Sequence, residues 1–391
     1  TFFFAYFIMS IPSGSIIEKV GYKKGIAIGL ITSAIGALIF IPAAYIASYG
    51  LFLFALFVLA SGITLLQVAA NPYVSVLGKP ETASSRLNLS QAFNSLGTTL
   101  APFLGGLFIL SEVVDREKIT AMSEEAYKSF QIEQAQSVMG PYLFLGGMLI
   151  LLAFFISRFK LPVIKEDPVT PEDMKFSAPL KKVYVALGVI GIFVYVGAEV
   201  SIGSFLVNYI EHLGISEIIE NNSLAASYKR LLLTISGMAP DELKGEQLAA
   251  GFVSLYWGGA MLGRFIGSAL LQKIKPGLLL GLFAGTAALL VVVTLTTTGA
   301  IAMWSILSVG LFNSIMFPTI FTLAIRNLGP LTNQASSLLI MAIVGGAIIP
   351  LIQGLMADTI GIKLAFFIPI ICYIYICFYG LSGSKLGLKK K

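Results

Sequence analysis

Long apolar runs, separated by short polar segments, make up most of the chain. A membrane-spanning helix needs about 20 mostly apolar residues, and eleven stretches of the sequence meet this requirement. They are residues 1–17, 25–45, 51–77, 87–110, 139–156, 183–210, 248–271, 277–295, 301–325, 335–357 and 364–381. Because the number is odd and the first run opens in mid-helix at Thr1, we expect a further span before it. The pattern predicts an all-α integral membrane protein.

The composition supports this prediction. Only 12% of the 391 residues are charged and the mean hydropathy is +0.88, whereas soluble proteins carry about 25% charged residues. The two cysteines, Cys372 and Cys377, lie in one late apolar run, and the chain has a single histidine. We therefore expect neither a disulfide framework nor a metal site.

The loop charges predict how the chain is oriented in the membrane. Lys and Arg outnumber Asp and Glu in the loops on one side, and acidic residues dominate the loops on the other. Basic loops stay in the cytoplasm, so we predict a multi-pass protein of the cytoplasmic (inner) membrane with a cytoplasmic C-terminus. The net charge of +6 reflects this orientation, and we expect no nucleic-acid partner.

Two parts of the chain resemble each other. The segment "SGITLLQVAANPYVSVLG" resembles "LFNSIMFPTIFTLAIRNLG", with Pro72 on Pro318 and Gln67 on Asn313. A similar separation relates Pro102 to Pro350. Such a parallel repeat is common in secondary transporters and predicts two six-helix bundles. The predicted domains are an N-terminal bundle at residues 1–160 (spans 2–6), a cytoplasmic central loop at 161–180 and a C-terminal bundle at 181–391 (spans 7–12).

Two charged residues inside predicted spans, Glu199 and Arg264, and the aromatic Trp257 are candidate functional residues. A charged group at membrane depth is costly and is a functional hypothesis by default. Glu199 either binds the substrate or a coupling ion, or is a structural carboxyl tied to a neighbouring helix. Arg264 lies nearer a cytoplasmic end, where it serves gating or pairing, or snorkels to the surface. Trp257 either stacks on a sugar ring or anchors the helix at the membrane interface.

Neutral amides are the third group of candidate residues. Gln67 and Asn71 stand four residues apart and share a helix face, and Gln91 and Asn94 share another. With Asn313 they form a set drawn from both halves of the repeat. Amides both donate and accept hydrogen bonds, which suits a ligand rich in hydroxyl groups. The alternative is that they hold helices together within the membrane.

A loop motif resembles the signature of the major facilitator superfamily. The segment "GSIIEKVGYKK" has the order Gly14, Glu18, Lys19 and Gly21 followed by two lysines, and Glu18 replaces the usual aspartate. The resemblance implies that this carboxylate pairs with an arginine and latches one state of a transporter. The gating residues it implies are Glu18, Lys19, Arg86, Arg264 and Arg326. Leu271 stands where the second copy should carry the acid.

Three further segments, residues 67–102, 197–209 and 317–329, are similar to the fucose–galactose–glucose:proton symporter family within that superfamily. They look most like its bacterial glucose/galactose transporters. The resemblance implies import of a hexose by cation symport and alternating access; symport of fucose or N-acetylglucosamine is the alternative. In the fucose:proton member, a proton-relaying glutamate stands at the position of Gln67 and a glutamine at that of Glu199. Either Glu199 has taken over the carboxylate role, or the coupling ion is Na⁺ rather than H⁺.

The sequence fits two other classes of protein less well. A receptor that has kept the fold would carry extra soluble domains, and the longest loops are too short for one. A membrane enzyme would need a nucleophile–base pair or a metal cluster, which the spans do not offer. We therefore predict a carrier with no enzyme activity and no organic cofactor. Its expected partners are a small sugar and the lipid bilayer, and we expect a monomer.

Overall fold

The computed structural model describes residues 1–108, 122–162, 175–237, 239, 243 and 245–388, and its regular elements there are helices. We number them in chain order: α1 Phe2–Tyr45, α2 Tyr49–Val76, α3 Ala83–Phe108, α4 Glu124–Gln136, α5 Met139–Arg158, α6 Val183–His212, α7 Ile215–Asn221, α8 Ser223–Ser236, α9 Gly245–Leu270, α10 Pro276–Thr296, α11 Gly299–Asn313, α12 Met316–Ala324, α13 Thr332–Met341, α14 Gly345–Ile360, α15 Ile362–Ala365 and α16 Phe367–Leu381.

Within the described residues, eight helical segments are long and apolar enough to cross a membrane. The 44-residue α1 holds the first two predicted spans, separated at Gly21, where a φ of 78° interrupts the helical backbone. Glycine adopts such a positive φ without steric penalty. The predicted spans at 87–110 and 248–271 correspond to α3 and α9, which are more polar than the eight. All predicted spans thus have helical counterparts, although residues 109–110 lie outside the described part.

The first compact unit comprises Thr1–Val76, Leu100–Pro179 and Asn327–Ala342. In it, α1 packs along α2, and both α5 and α13 pack against α1. The close approach of α1 and α2 depends on glycines, because a Cβ at Gly29 would lie 2.9 Å from the backbone nitrogen of Leu66. A Cβ at Gly36 would collide with the backbone of Leu59. Small residues let membrane helices approach in this way.

The Gly36 contact gives a prediction about stability. Replacing Gly36 with valine forces α1 away from the backbone of Leu59, so we expect a loss of about 2 kcal/mol or more and a lower melting temperature in detergent. Gly147→Val in α5 is the matched control, because a Cβ at Gly147 meets nothing within 4 Å. Equal melting temperatures for the two variants would contradict close packing at Gly36.

The second unit comprises Leu77–Thr99, Leu180–Arg326 and Ile343–Lys391. Its central helix is α6, which packs against α9, α12, α14 and α16, while α10 packs against α11 and α16. Here too glycines bring backbones together: a Cβ at Gly310 of α11 would collide with the backbone carbonyl of Tyr256 in α9. The polar residues described below are attached to this framework.

The two compact units do not coincide with a simple division of the chain at the central loop. Leu77–Thr99 groups with the second unit, and Asn327–Ala342 groups with the first. Most of the predicted central loop, residues 163–174, lies outside the described part of the chain. The division into domains 1–160, 161–180 and 181–391 stays a prediction.

Candidate functional site

A carboxylate and a guanidinium lie together inside the second unit. Glu199 is on α6, and its Oε1 accepts a 2.7 Å hydrogen bond from the hydroxyl of Tyr195, one turn earlier on the same helix. Nη2 of Arg264, on α9, lies 3.8 Å from the same oxygen. The side chains of Arg264 and Glu199 are only 11% and 14% exposed. At this depth each charge needs the other, because an unpaired buried charge is strongly destabilising.

Arg264 is held mainly by oxygens other than those of Glu199. Its Nε donates to the backbone carbonyl of Ser314 at 3.1 Å, between α11 and α12. Its Nη1 donates to the backbone carbonyl of Gln91 at 3.2 Å and to the hydroxyl of Ser95, both on α3. Nδ2 of Asn88 donates in turn to the backbone carbonyl of Arg264 at 2.7 Å. The arginine therefore links α9 with α3, α6 and the α11–α12 junction.

Tyr256 connects Glu199 with Asn313. Nδ2 of Asn313 donates to the Tyr256 hydroxyl at 2.6 Å, and this hydroxyl donates to the backbone carbonyl of Glu199 at 3.2 Å. Oδ1 of Asn313 and the hydroxyl of Tyr373 make no hydrogen bond of standard geometry among the described residues, although the two side chains interact with each other, and both are fully buried. Such atoms retain capacity for further hydrogen bonds.

Trp257 lies beside this cluster. Its ring meets that of Tyr256 edge-on, with centroids 5.1 Å apart and planes at 82°. It also covers Gly203 of α6, where a Cβ would lie 2.8 Å from the indole. The indole is thus placed one turn beyond Glu199, in contact with the same helix.

The predicted amide pair on α3 is present as a hydrogen-bonded pair. Nδ2 of Asn94 donates to Oε1 of Gln91 at 3.1 Å, and Asn94 is exposed on the surface of its own unit. The backbone carbonyl of Gln91 also accepts a hydrogen bond from Arg264. This face of α3 is therefore connected to the Glu199–Arg264 pair.

Gln67 and Asn71 lie in the first unit, on α2. Nε2 of Gln67 donates to the hydroxyl of Tyr6 on α1 at 2.9 Å, and Asn71 is buried. The residues of the loop motif also lie in this unit, with a half-buried Glu18 and an exposed Lys19 just before the break at Gly21.

Two of the predicted gating arginines have local partners in the second unit. Nη1 of Arg86 donates to the backbone carbonyl of Lys79 at 2.9 Å and to the hydroxyl of Thr82. Nη2 of Arg326 donates to the backbone carbonyl of Ser384 at 3.1 Å, beyond the end of α16. These contacts attach the arginines to neighbouring turns, and the gating roles stay predictions.

Five of the predicted residues thus come together in the second unit: Gln91, Glu199, Arg264, Asn313 and Trp257. Sequence reasoning missed Tyr195 and Tyr373 as members of this cluster. The spacing of Tyr195 and Glu199, four residues apart on a helix, was a signal that could have found the first. Tyr373 belongs to a distant apolar run and has no such local signal.

A multi-pass membrane protein with an ionisable pair and several amides inside its helices has the architecture of a secondary transporter. The comparisons with known proteins agree. The model of the Major Facilitator Superfamily matches residues 1–343, and the chain belongs to this superfamily. This confirms the all-α membrane fold and the resemblance inferred from the loop motif, and it excludes the membrane-enzyme class.

The relatives are sugar transporters. The chain is 51% identical to a glucose/galactose transporter of Brucella abortus, over 98% of this chain and 84% of the relative. It is 42% identical to a putative glucose/galactose transporter of Helicobacter pylori, over 98% and 86%. A crystal structure of the Escherichia coli fucose:proton symporter matches with a TM-score of 0.83 and 30% identity, covering 100% of this chain and 89% of that one.

Proposed function

We propose that the protein imports a hexose, glucose or galactose, by cation symport and alternating access. The observation that carries this proposal is the 51% identity to a glucose/galactose transporter over nearly the whole chain. Fucose is the second candidate substrate, because L-fucose–proton symporters are related at 34% identity. N-acetylglucosamine is a further alternative substrate.

Glu199 is the proposed coupling residue. It is the acidic residue inside the predicted spans, and its carboxylate accepts a hydrogen bond from Tyr195 and lies beside the positive charge of Arg264. Binding of either a proton or Na⁺ would offset the negative charge of this carboxylate and weaken its attraction to Arg264. Symport requires that the empty and the fully loaded carriers reorient, while the carrier that has bound only the ion does not.

The proposed sugar ligands in the second unit are Gln91, Asn94, Asn313 and Trp257, with Glu199 as a further hydroxyl acceptor. Amide and carboxylate oxygens accept from sugar hydroxyls, and the indole offers an apolar face for the C–H groups of the ring. Gln67 and Asn71 are proposed as ligands from the first unit.

Uptake of labelled sugar into proteoliposomes tests the proposal. An inward proton gradient and an inward Na⁺ gradient are compared, with glucose, galactose, fucose and N-acetylglucosamine as substrates. Accumulation of glucose or galactose under one gradient is expected. Accumulation of fucose or N-acetylglucosamine alone would assign the alternative substrate, and no gradient-dependent uptake of any of the four would contradict symport.

Asn94 gives a prediction about affinity. Asn94→Ala removes an exposed amide that donates a hydrogen bond to Gln91, so we expect the apparent affinity for sugar to fall about tenfold, as for loss of one good hydrogen bond. The maximal rate should change little. An unaltered apparent affinity would show that the Asn94–Gln91 pair is a structural contact. The control is Thr286→Ala on α10, which removes a hydroxyl that donates a hydrogen bond to the backbone carbonyl of Leu282.

We further propose that the protein resides in the inner membrane as a monomer, with its C-terminus in the cytoplasm. The basic loops support this orientation. A cysteine introduced at the exposed Leu386 should react with an impermeant reagent only in inside-out vesicles, and labelling in right-side-out vesicles would reverse the topology.

A further inference from the structure

A polar seam, Ser201 and Gln353, lies between α6 and α14 on the side of α6 that faces away from Arg264. Both side chains are fully buried. Oγ of Ser201 and both Oε1 and Nε2 of Gln353 have no hydrogen-bond partner among the residues that the structure describes. Leaving three such atoms without partners costs free energy in an apolar interior.

The packing of the two helices places the members of the polar seam opposite each other. A Cβ at Gly345 would collide with the backbone of Phe193, and one at Gly197 would lie 2.8 Å from Cβ of Ile349. Residue numbers rise in the same direction along both helices at these contacts. One turn after Gly197 on α6 is Ser201, and one turn after Ile349 on α14 is Gln353, so these two residues lie opposite each other. The register continues beyond this point, since a Cβ at Gly354 would lie 3.5 Å from the ring of Phe205.

A proline adds a further acceptor to the same face of α14. Pro350 lies inside the helix and has no N–H, so the carbonyl of Gly346 lacks its usual helical donor. Gly346 precedes Gln353 by two turns and shares its face. Freed backbone groups of this kind in membrane helices are commonly satisfied by Ser or Thr side chains and by ordered water.

We propose that the polar seam is a binding site for ordered water, held by Ser201 and Gln353 at the Pro350 interruption of α14. Its occupant must donate to Oε1 and accept from Nε2–H of one amide, and water does both. A bare cation would satisfy the oxygens but would leave the amide N–H groups pointing toward a positive charge. Buried waters typically make about three hydrogen bonds to otherwise unsatisfied groups, which is the number of side-chain atoms available here.

Synchrotron radiolysis of the wild-type protein in detergent tests the site directly. Bound water generates hydroxyl radicals that oxidise adjacent side chains, so we expect the buried Ile349 to be oxidised several-fold faster than the fully buried Ile306 of α11. Equal rates would show that the polar seam is dry and would overturn the proposal. This measurement needs neither a variant nor transport activity.

Variants then test which residues hold the water. Gln353→Leu should abolish the excess oxidation and lower the melting temperature by several degrees, because Ser201 is left without a partner. The Ser201→Ala/Gln353→Leu pair should recover most of that loss, since no polar side chain of the seam remains. Ser308→Ala on α11, whose exposed hydroxyl donates to Trp304, is the matched control.

A cation is the competing occupant. If NaCl raises the melting temperature relative to choline chloride, and Gln353→Leu removes this increase, the site holds Na⁺ and the assignment to water is wrong. A melting temperature that is insensitive to this exchange, together with fast oxidation of Ile349, supports water.

Discussion

Glu199→Gln is expected to abolish accumulation of sugar against its gradient while leaving exchange of sugar across the membrane. The amide keeps the size of the side chain and its hydrogen bond with Tyr195, but it can neither bind a proton nor supply a negative charge. Sugar transport is then no longer coupled to the ion gradient. The measurement is the ratio of internal to external labelled sugar in proteoliposomes, alongside counterflow.

The matched control is Glu220→Gln, which changes an exposed carboxylate on α7 and should leave accumulation unchanged. If Glu199→Gln still accumulates sugar at the wild-type level, Glu199 has no part in coupling. If it loses counterflow as well, the carboxylate is needed for sugar binding or folding rather than for coupling alone.

The second large effect is expected for Arg264→Gln, measured as stability. This change leaves Glu199 buried at 14% exposure without its positive partner, which costs about 3 kcal/mol and should lower the melting temperature markedly. The double variant Glu199→Gln/Arg264→Gln removes both charges and should be more stable than Arg264→Gln alone.

The double-mutant comparison separates two explanations for Arg264. If the double variant is no more stable than the single, the 3.8 Å ion pair contributes little. The loss would then come from the hydrogen bonds of Arg264 to Ser314, Gln91 and Ser95. Arg264→Lys tests the same point, because lysine keeps the charge but not the planar set of donors.

Much of the fold could be predicted from local sequence. Apolar runs of about 20 residues define membrane spans without knowledge of their neighbours. Gly21, in the loop motif between the first two spans, is where the structure interrupts the helix. The depth of Glu199 and Arg264 in their spans identified them as candidates, because charge at that depth is rare.

The contacts of these residues were less accessible to prediction. The link from Arg264 to α3 uses the backbone carbonyl of Gln91, and a backbone acceptor leaves no trace in residue identity. Tyr373 joins the cluster from a helix more than a hundred residues after Glu199 in the chain, which depends on how α16 packs against α6. The unpartnered amide of Gln353 depends in the same way on the register between α6 and α14.

The backbone ligands of Arg264 have a consequence for how this carrier can evolve. Two of the oxygens that fix its guanidinium are main-chain carbonyls, of Gln91 on α3 and of Ser314 between α11 and α12. Substitution of either side chain leaves those carbonyls in place. A change of the side chain at position 91, which we propose as a sugar ligand, would therefore leave in place the positive charge that opposes Glu199.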